Sequence, residues 1–287
     1  MTISSSINYF CNVFGEKKAI DVYSQAGFDA LDFSFFNSKY YTDETSTDFY
    51  RELKEYADAK GVKFNQAHAP FPSSYNEDDR TKEAFTAIVT AMRNASLLGV
   101  PNIVVHPCQH LVYDDDGVPE KLFEMNMQFY KSLIPYCEEY GIKVAVENMW
   151  QFPRVIHHST CSHPAEFVKY MDSLNSDCFV ACLDIGHAVL VREKPDEMIR
   201  ALGKKYLKAL HVHDVSGSED SHTLPFFGVA NWEKVAKALG EIGYEGDITF
   251  EAGNFFVNKP KELLPACAKY MHETGKYLVE KVNEYRK

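Results

Sequence analysis

The chain has 287 residues, with 30 Lys and Arg against 41 Asp and Glu, and therefore a formal net charge of −11. A composition that is 45% hydrophobic and 14% aromatic is typical of globular proteins and excludes the disordered and fibrous classes. Because affinity for nucleic acid or an anionic membrane comes mainly from Lys and Arg, and no basic run occurs here, we expect neither as a partner. Small or neutral substrates fit this charge better.

The sequence also indicates where the protein resides. The first ten residues, MTISSSINYF, lack the basic region and apolar stretch of a secretion signal, and no run approaches the roughly 18 apolar residues of a membrane span. The seven cysteines are an odd number and include no Cys-x-x-Cys pair, which favours reduced thiols over a disulfide framework. We therefore expect a cytoplasmic protein, and leave open whether it forms a homo-oligomer.

Short β-rich runs recur along the whole chain. Several of them, such as NIVVH, KVAVE and DITFE, are almost continuously apolar before they end in a polar residue, as parallel strands covered by helices do. The eight predicted strands are Ser4–Phe10, Ala30–Phe35, Lys63–Ala69, Asn102–Pro107, Lys143–Asn148, Phe179–Asp184, Ala209–Asp214 and Asp247–Ala252.

Segments with a helical period lie between these strands, most clearly Asp78–Leu98 and Pro119–Tyr140. Gly99 and Gly141 follow these two helices, where a glycine can adopt the left-handed conformation that ends a helix. Alternating strands and helices with no linker predict a single (β/α)₈ barrel domain over residues 1–287. The alternative, an open doubly wound sheet, normally carries a glycine-rich nucleotide-binding turn, and none occurs here.

Polar residues that end the strands carry the functional signal. They are His68, His106, Glu147, Asp184, His211 and Glu251, and His187, His213, Asp220 and His222 follow shortly after strands six and seven. The carboxyl ends of barrel strands form the face where active sites assemble. Burying so many titratable groups together costs several kcal/mol unless they are paired or bind a metal.

These donors are nitrogen and oxygen atoms, which suit Zn²⁺, Mn²⁺, Co²⁺ or Mg²⁺. We predict that the metal ligands are Glu147, Asp184, His211 and Glu251. The remaining candidates bind substrate, hold additional metal or support the ligands; they are His68, His106, His187, Asp220 and His222.

Seven motifs resemble the xylose isomerase-like TIM barrel superfamily, and more narrowly its sugar phosphate isomerase and epimerase group, which shares its fold with apurinic endonucleases of the endonuclease IV type. The likeness runs from about His68 to Glu251, in the correct order and at the correct strands. The motifs are AHAPF (67–71), VVHP (104–107), VAVEN (144–148), CLDIGHA (182–188), YLKALHVHD (206–214), DSH (220–222) and TFEA (249–252).

The resemblance implies a metal-dependent isomerase or epimerase. In that branch, one divalent ion is held by a Glu, an Asp, a His and a Glu, which match Glu147, Asp184, His211 and Glu251. The two glutamates also move protons on opposite faces of a substrate whose carbonyl the cation polarises, so that an enediolate forms. His187 would contact a substrate oxygen. Aromatic walls for sugar C–H faces would come from Phe10, Phe71, Trp150 and Phe226.

The chain departs from ketose 3-epimerases at two places. Those enzymes usually carry a substrate-binding Glu soon after the first metal Glu and an Arg soon after the metal His. The corresponding stretches here read NMWQFPR and VHDVSGS, with neither residue at the usual spacing. The sequence therefore predicts action on a sugar or related polyhydroxy carbonyl compound and does not assign which one, whether it is phosphorylated, or the stereochemistry.

Two other enzyme classes remain open. Endonuclease IV-type enzymes bind three zinc ions through nine ligands, and all nine positions have matches here, so a multinuclear zinc cluster for phosphodiester hydrolysis is the second hypothesis. The net charge of −11 and the lack of Lys- and Arg-rich loops argue against DNA binding. A lyase or dehydratase would use the same intermediate. A barrel that only binds sugar has no support, because no core ligand is missing.

Overall fold

The computed structural model describes residues 1–42, 45–152 and 156–286. Eight strands form one sheet in which neighbours in the chain pair in parallel. The strands are β1 (Ile3–Ser6), β2 (Ala30–Ser34), β3 (Lys63–His68), β4 (Asn102–Val105), β5 (Lys143–Glu147), β6 (Phe179–Asp184), β7 (Leu207–His211) and β8 (Ile248–Phe250).

The sheet closes on itself. β8 pairs with β1 on one side, and just beyond β7 a parallel bridge joins Val212 to Phe250 of β8. Val212 N donates to Thr249 O at 2.8 Å, and Glu251 N donates to Val212 O at 3.2 Å. The predicted (β/α)₈ barrel is therefore confirmed.

Helices follow the strands and surround the barrel. They are α1 (Asn8–Phe14), α2 (Glu16–Ala26), α3 (Thr47–Ala59), α4 (Asp78–Leu98), α5 (Val118–Tyr140), α6 (Pro164–Leu174), α7 (Ile185–Leu190), α8 (Pro195–Tyr206), α9 (Trp232–Glu241) and α10 (Leu264–Glu284). Gly99 and Gly141 end α4 and α5 with φ of 79° and 63°, values that favour glycine because it lacks a Cβ atom.

β1, β7 and β8 differ most from their predicted bounds, and β2, β3, β4 and β5 end one or two residues earlier than predicted. β1 stops at Ser6 because Ile7 N donates to Asp32 O, a last ladder hydrogen bond at 3.1 Å, and α1 begins at Asn8. Residues 8–10, which we assigned to this strand, are therefore helical. β7 starts and ends earlier than predicted, and β8 is shorter, since the chain beyond both strands turns into loops at the barrel mouth.

In residues 1–42, 45–152 and 156–286, the structure has neither a disulfide bond nor a helix that could span a membrane. All seven cysteines carry free thiols, as the sequence predicted. Within the described ranges, no helix combines the length and the apolarity that crossing a membrane requires.

The barrel interior is filled by small side chains below the polar mouth. Register places Val104 of β4 beside Ala145 of β5, and Cys182 of β6 beside Ala209 of β7. Together with Val180 these side chains form a buried cluster separate from the main core, which packs between the strands and the helices. Since side chains alternate along a strand, residues two positions further along point inward as well.

One half-buried carboxyl group in α6 makes stability depend on pH. Burial raises the pKa of Glu166 from 4.5 to about 7, and the buried Oε2 atom has no hydrogen-bond partner. A raised pKa contributes stability below the unfolded pKa, and that contribution is lost as pH rises through about 7.

We expect Glu166→Gln to have almost the stability of the parent at pH 5 and to exceed it by about 1–3 kcal/mol at pH 8. Glutamine imitates the protonated acid and carries no charge to desolvate. Urea unfolding at both pH values measures the difference, with the exposed Glu77→Gln as control. An equal effect of Glu166→Gln at the two pH values would contradict this account.

Candidate functional site

The inward register of the strands carries four titratable side chains to the centre of the mouth. His106, Glu147, Asp184 and His211 each lie two residues beyond a member of the small interior cluster, so they point the same way. Glu251 follows the last residue of β8. The sequence pattern of polar strand ends thus becomes one cluster in space.

Three carboxylates surround one imidazole nitrogen. His211 Nδ1 lies 2.9 Å from Glu147 Oε1, 3.1 Å from Glu251 Oε2 and 3.7 Å from Asp184 Oδ2. One donor atom from each of these four residues falls within 4.8 Å of all the others. Glu147, Asp184 and His211 are buried, so the negative charges of the carboxylates require nearby positive charge, which protonated histidines or a bound cation can supply.

The unsatisfied atoms of this cluster fit a divalent cation. His211 Nε2 is buried without a hydrogen-bond partner, and the buried Glu147 Oε2 has no well-aligned one although His106 Nε2 lies 3.1 Å away. Such incomplete hydrogen bonding is costly for a polar atom in a protein interior. The donor set consists of three carboxylates and one imidazole, with no thiolate in it. Such a set is suited to Zn²⁺, Mn²⁺, Co²⁺ or Mg²⁺.

Electrostatics in the cluster follow from this proximity. Burial alone would raise the pKa of Glu147, but His211 and His106 outweigh it and hold that pKa well below its usual value. Burial would lower the pKa of His211, but Cys182, Glu251 and Glu147 outweigh it and hold that pKa well above its usual value. Because a metal ligand must be deprotonated, a cation has to displace the proton that His211 holds.

Two further donor groups flank the four-residue cluster. On one side, His106 Nε2 lies 3.1 Å and His68 Nε2 lies 3.6 Å from Glu147 Oε2. On the other side, Asp220 Oδ2 lies 3.0 Å from His222 Nε2 and 3.5 Å from His187 Nε2. The structure therefore brings all nine predicted ligand and substrate residues to one mouth.

Asp184 is held in place by its neighbours. Its Oδ1 accepts from His187 N at 2.6 Å, which caps α7, and its Oδ2 lies 2.9 Å from His213 Nε2. Asn148 anchors the backbone, since its Nδ2 donates to Asp184 O at 2.9 Å and its Oδ1 accepts from Asp184 N at 2.7 Å. Asn148 belongs to the VAVEN motif, but the sequence alone does not indicate this supporting role.

Asp214 organises the loop that carries Asp220 and His222. Four N–H groups donate to its buried carboxylate, at 2.8–3.0 Å, and they belong to Val215, Phe226, Ala230 and the Trp232 indole. No local sequence pattern indicates this role of Asp214, because its four donors are spread over 18 residues of chain.

We expect Asp214→Asn to lower the free energy of unfolding by about 1–3 kcal/mol, because the new amide turns donors toward N–H groups that need an acceptor. Urea unfolding measures the loss. Asp48→Asn, at an exposed site, should stay within about 0.5 kcal/mol of the parent. If Asp214→Asn proved as stable as that control, the hydrogen bonds would not hold the loop.

A cleft of about 1000 Å³ opens above the cluster. Phe71 and Trp150 line it as predicted, and the Phe71 ring stacks on His106 with centroids 4.8 Å apart. Phe10 and Phe226, the other two predicted wall residues, lie elsewhere. The positions of these two residues depend on local structure, which the residue type does not reveal.

Phe10 is fully buried in the core, because it belongs to α1 rather than to a strand. The centroid of its ring lies 5.0 Å from that of Tyr23 and 4.8 Å from that of Phe256. Phe226 lies outside the cleft lining, and its half-exposed ring packs on Trp232 and Tyr277.

Several lining residues were not anticipated from the sequence. They provide hydroxyl and amide groups as well as more apolar surface, and include Ser6, Asn8, Tyr9, Asn12, Phe36, Gln109, Gln151, Phe152 and Asn254. Most lie in loops or in α1 directly after a strand. Position after a strand is therefore the signal that could have found them.

Several known proteins are similar to this chain in sequence or in fold. An uncharacterized protein of Methanocaldococcus jannaschii is 33% identical over 213 residues, covering 72% of this chain and 70% of that protein. The D-psicose 3-epimerase of Ruminiclostridium cellulolyticum is 23% identical over 240 residues, covering 82% and 77%. A crystal structure of a D-tagatose 3-epimerase-like protein superposes with a TM-score of 0.78 at 26% identity and covers 99% of each chain. The profile of the xylose isomerase-like TIM barrel family matches residues 20–270, so the chain belongs to that family.

Proposed function

We propose that the protein is a divalent-metal-dependent isomerase or epimerase of a sugar or related polyhydroxy carbonyl compound. The observation that carries the proposal is the placement of two glutamates, Glu147 and Glu251, within 3.1 Å of His211 Nδ1 in a cleft of about 1000 Å³. The relationship to a D-psicose 3-epimerase supports the same reaction class.

The chain's own residues divide the work. A cation held by the four-residue cluster would polarise the substrate carbonyl and stabilise negative charge on an enediolate. Glu147 and Glu251 remove a carbon-bound proton on one face and return a proton on the other. His187 lies in the cleft lining and is placed to donate a hydrogen bond to a substrate oxygen. The buried carboxylates therefore act both as ligands and as acid-base groups.

The cleft favours a neutral polyhydroxy substrate. Hydroxyl and amide side chains such as Ser6, Asn8 and Gln151 match sugar hydroxyls, and the faces of Phe71 and Trp150 match sugar C–H groups. Three carboxylates at the centre of an acidic protein repel a phosphate group more than a neutral sugar.

A second candidate is a trinuclear zinc phosphodiesterase. The specific observation in its favour is the pair of flanking donor groups, one around His68 and His106 and the other around His187, Asp220 and His222. The net charge of −11 disfavours binding to a DNA backbone. We therefore rank this function second.

A substrate screen combined with one variant tests the proposal. Metal-loaded protein should interconvert at least one sugar in a panel of ketoses and aldoses, and chromatography identifies the product. A dehydrated product would assign a lyase instead. His222→Ala should keep the parent zinc content if the centre is mononuclear. Loss of about one zinc ion per chain, together with cleavage of abasic-site DNA by the parent protein, would overturn the proposal.

A further inference from the structure

A second cluster of metal-ligating side chains lies on the loop that forms one wall of the cleft. The rings of His158 and His163 stack with centroids 3.7 Å apart, and His163 Nδ1 lies 2.9 Å from Glu193 Oε1. One donor atom from each of these three residues falls within 4.8 Å of the other two. None of the three belongs to the cluster at the barrel mouth.

Local backbone structure brings the two histidines together. The chain after β5 folds back on itself, since Met149 N donates to Thr160 O at 3.1 Å and Trp150 forms an antiparallel bridge with His158. A tight turn follows, in which Ser162 N donates to Ser159 O at 3.2 Å. This turn places His163, at the start of α6, directly against the His158 ring.

Glu193 reaches the pair from a different part of the fold, the connection between α7 and α8. The donor set therefore joins two loops that lie 30 residues apart in the chain. Two imidazoles and one carboxylate are the donors of many three-ligand zinc sites, in which water completes the tetrahedron.

We propose that His158, His163 and Glu193 bind a divalent transition metal ion of the Zn²⁺ type, which cross-links the loop after β5 to the connection between α7 and α8. Binding requires the two stacked rings to turn so that their lone pairs converge on one point. All three side chains are only partly buried, and turning the His158 ring gives up the hydrogen bond between its Nδ1 atom and Ser162 Oγ, which is 3.0 Å long.

Close stacking of the two rings disfavours protonation of both at once. Two protonated rings at a centroid separation of 3.7 Å would repel each other strongly. Burial, and then the neighbouring His163, lower the pKa of His158. The Glu193 carboxylate, 2.9 Å from His163 Nδ1, supplies a negative charge that attracts a cation.

A metal at this place would stiffen the cleft wall. His158 pairs with Trp150 across the antiparallel bridge in this loop. Trp150 lines the cleft together with Phe152. Fixing His158 to α6 and to Glu193 restrains the position of Trp150. The site thereby links metal binding outside the cleft to the shape of the substrate wall.

Zinc analysis of matched variants tests the proposal. Purified protein is stripped with chelator, loaded with Zn²⁺, freed of excess metal, and assayed for zinc per chain. We expect His163→Ala and Glu193→Gln each to lose about one zinc ion per chain relative to the parent. The control is His157→Ala, which removes a histidine of the same loop that pairs with Asp114 instead, and it should keep the parent zinc content.

Hydrogen exchange provides a second readout. Zn²⁺ should slow exchange at the amides of Met149 and Gln151 in the parent and in His157→Ala, but not in His163→Ala. Equal zinc content in the parent, His163→Ala and Glu193→Gln would overturn the proposal and leave His163 and Glu193 as a surface ion pair. The outcome is independent of the barrel mouth, because none of these variants alters a residue there.

Discussion

Glu147→Gln and Glu251→Gln should each reduce kcat by about 10³-fold or more while the barrel still folds. Glutamine keeps the shape of the side chain but cannot accept a proton at the reacting carbon. It also removes one negative charge from the group around His211 Nδ1, where both glutamates lie within 3.1 Å. Steady-state kinetics on the sugar found by the panel measure the loss.

Three further measurements separate a catalytic effect from misfolding or metal loss. Circular dichroism and thermal unfolding should show a folded barrel in both variants. Elemental analysis after loading with excess metal shows whether each variant still binds the metal. Glu245→Gln, at an exposed carboxylate shortly before β8, should keep the parent rate. Substantial turnover by either cleft variant would contradict a two-glutamate proton transfer.

Removal of the metal should abolish activity and lower the thermal stability of the protein. A ligand present at about 100 times its Kd stabilises the folded state by about 2.7 kcal/mol, which for a chain of this size corresponds to about 5 °C in Tm. Without the cation, the buried carboxylates of Glu147 and Asp184 rely on protonated histidines for compensation. Scanning calorimetry before and after chelation measures the shift.

Restoring the metal completes that experiment. Zn²⁺, Mn²⁺, Co²⁺ and Mg²⁺ are added back separately, and the ion that restores both turnover and Tm identifies the one that the centre uses. Buffer alone is the control. Activity and Tm that are unchanged by exhaustive chelation would show that the cluster works without a cation.

Polar strand ends made the barrel and its centre predictable from the sequence. In KVAVE and KALH, the last residue lies two positions after a small side chain that points into the barrel. Glu147 and His211 therefore point inward as well and meet at the mouth. Strand ends in a closed parallel barrel share one face, and this geometric rule requires no knowledge of loops.

Residues that depend on loops or on long-range hydrogen bonds could not be predicted in this way. Phe10 lies in the core because β1 ends four residues earlier than its predicted end, and an aromatic residue fits a wall and a core equally well by type. Asp214 collects donors from a loop whose path is set only in the folded state. Pairwise contacts of this kind leave no periodic signal in the sequence.

The most direct test of proton transfer at the metal cluster is incorporation of deuterium from solvent. The sugar converted by the protein is incubated in D₂O with metal-loaded parent protein, and the product is examined by NMR. The account predicts deuterium at the carbon whose configuration or oxidation state changes, and no incorporation with Glu147→Gln or Glu251→Gln. The protein is first equilibrated in D₂O and the sugar is supplied at low concentration. Conversion of the sugar without any uptake of deuterium would then contradict the proposed transfer of protons by these two residues.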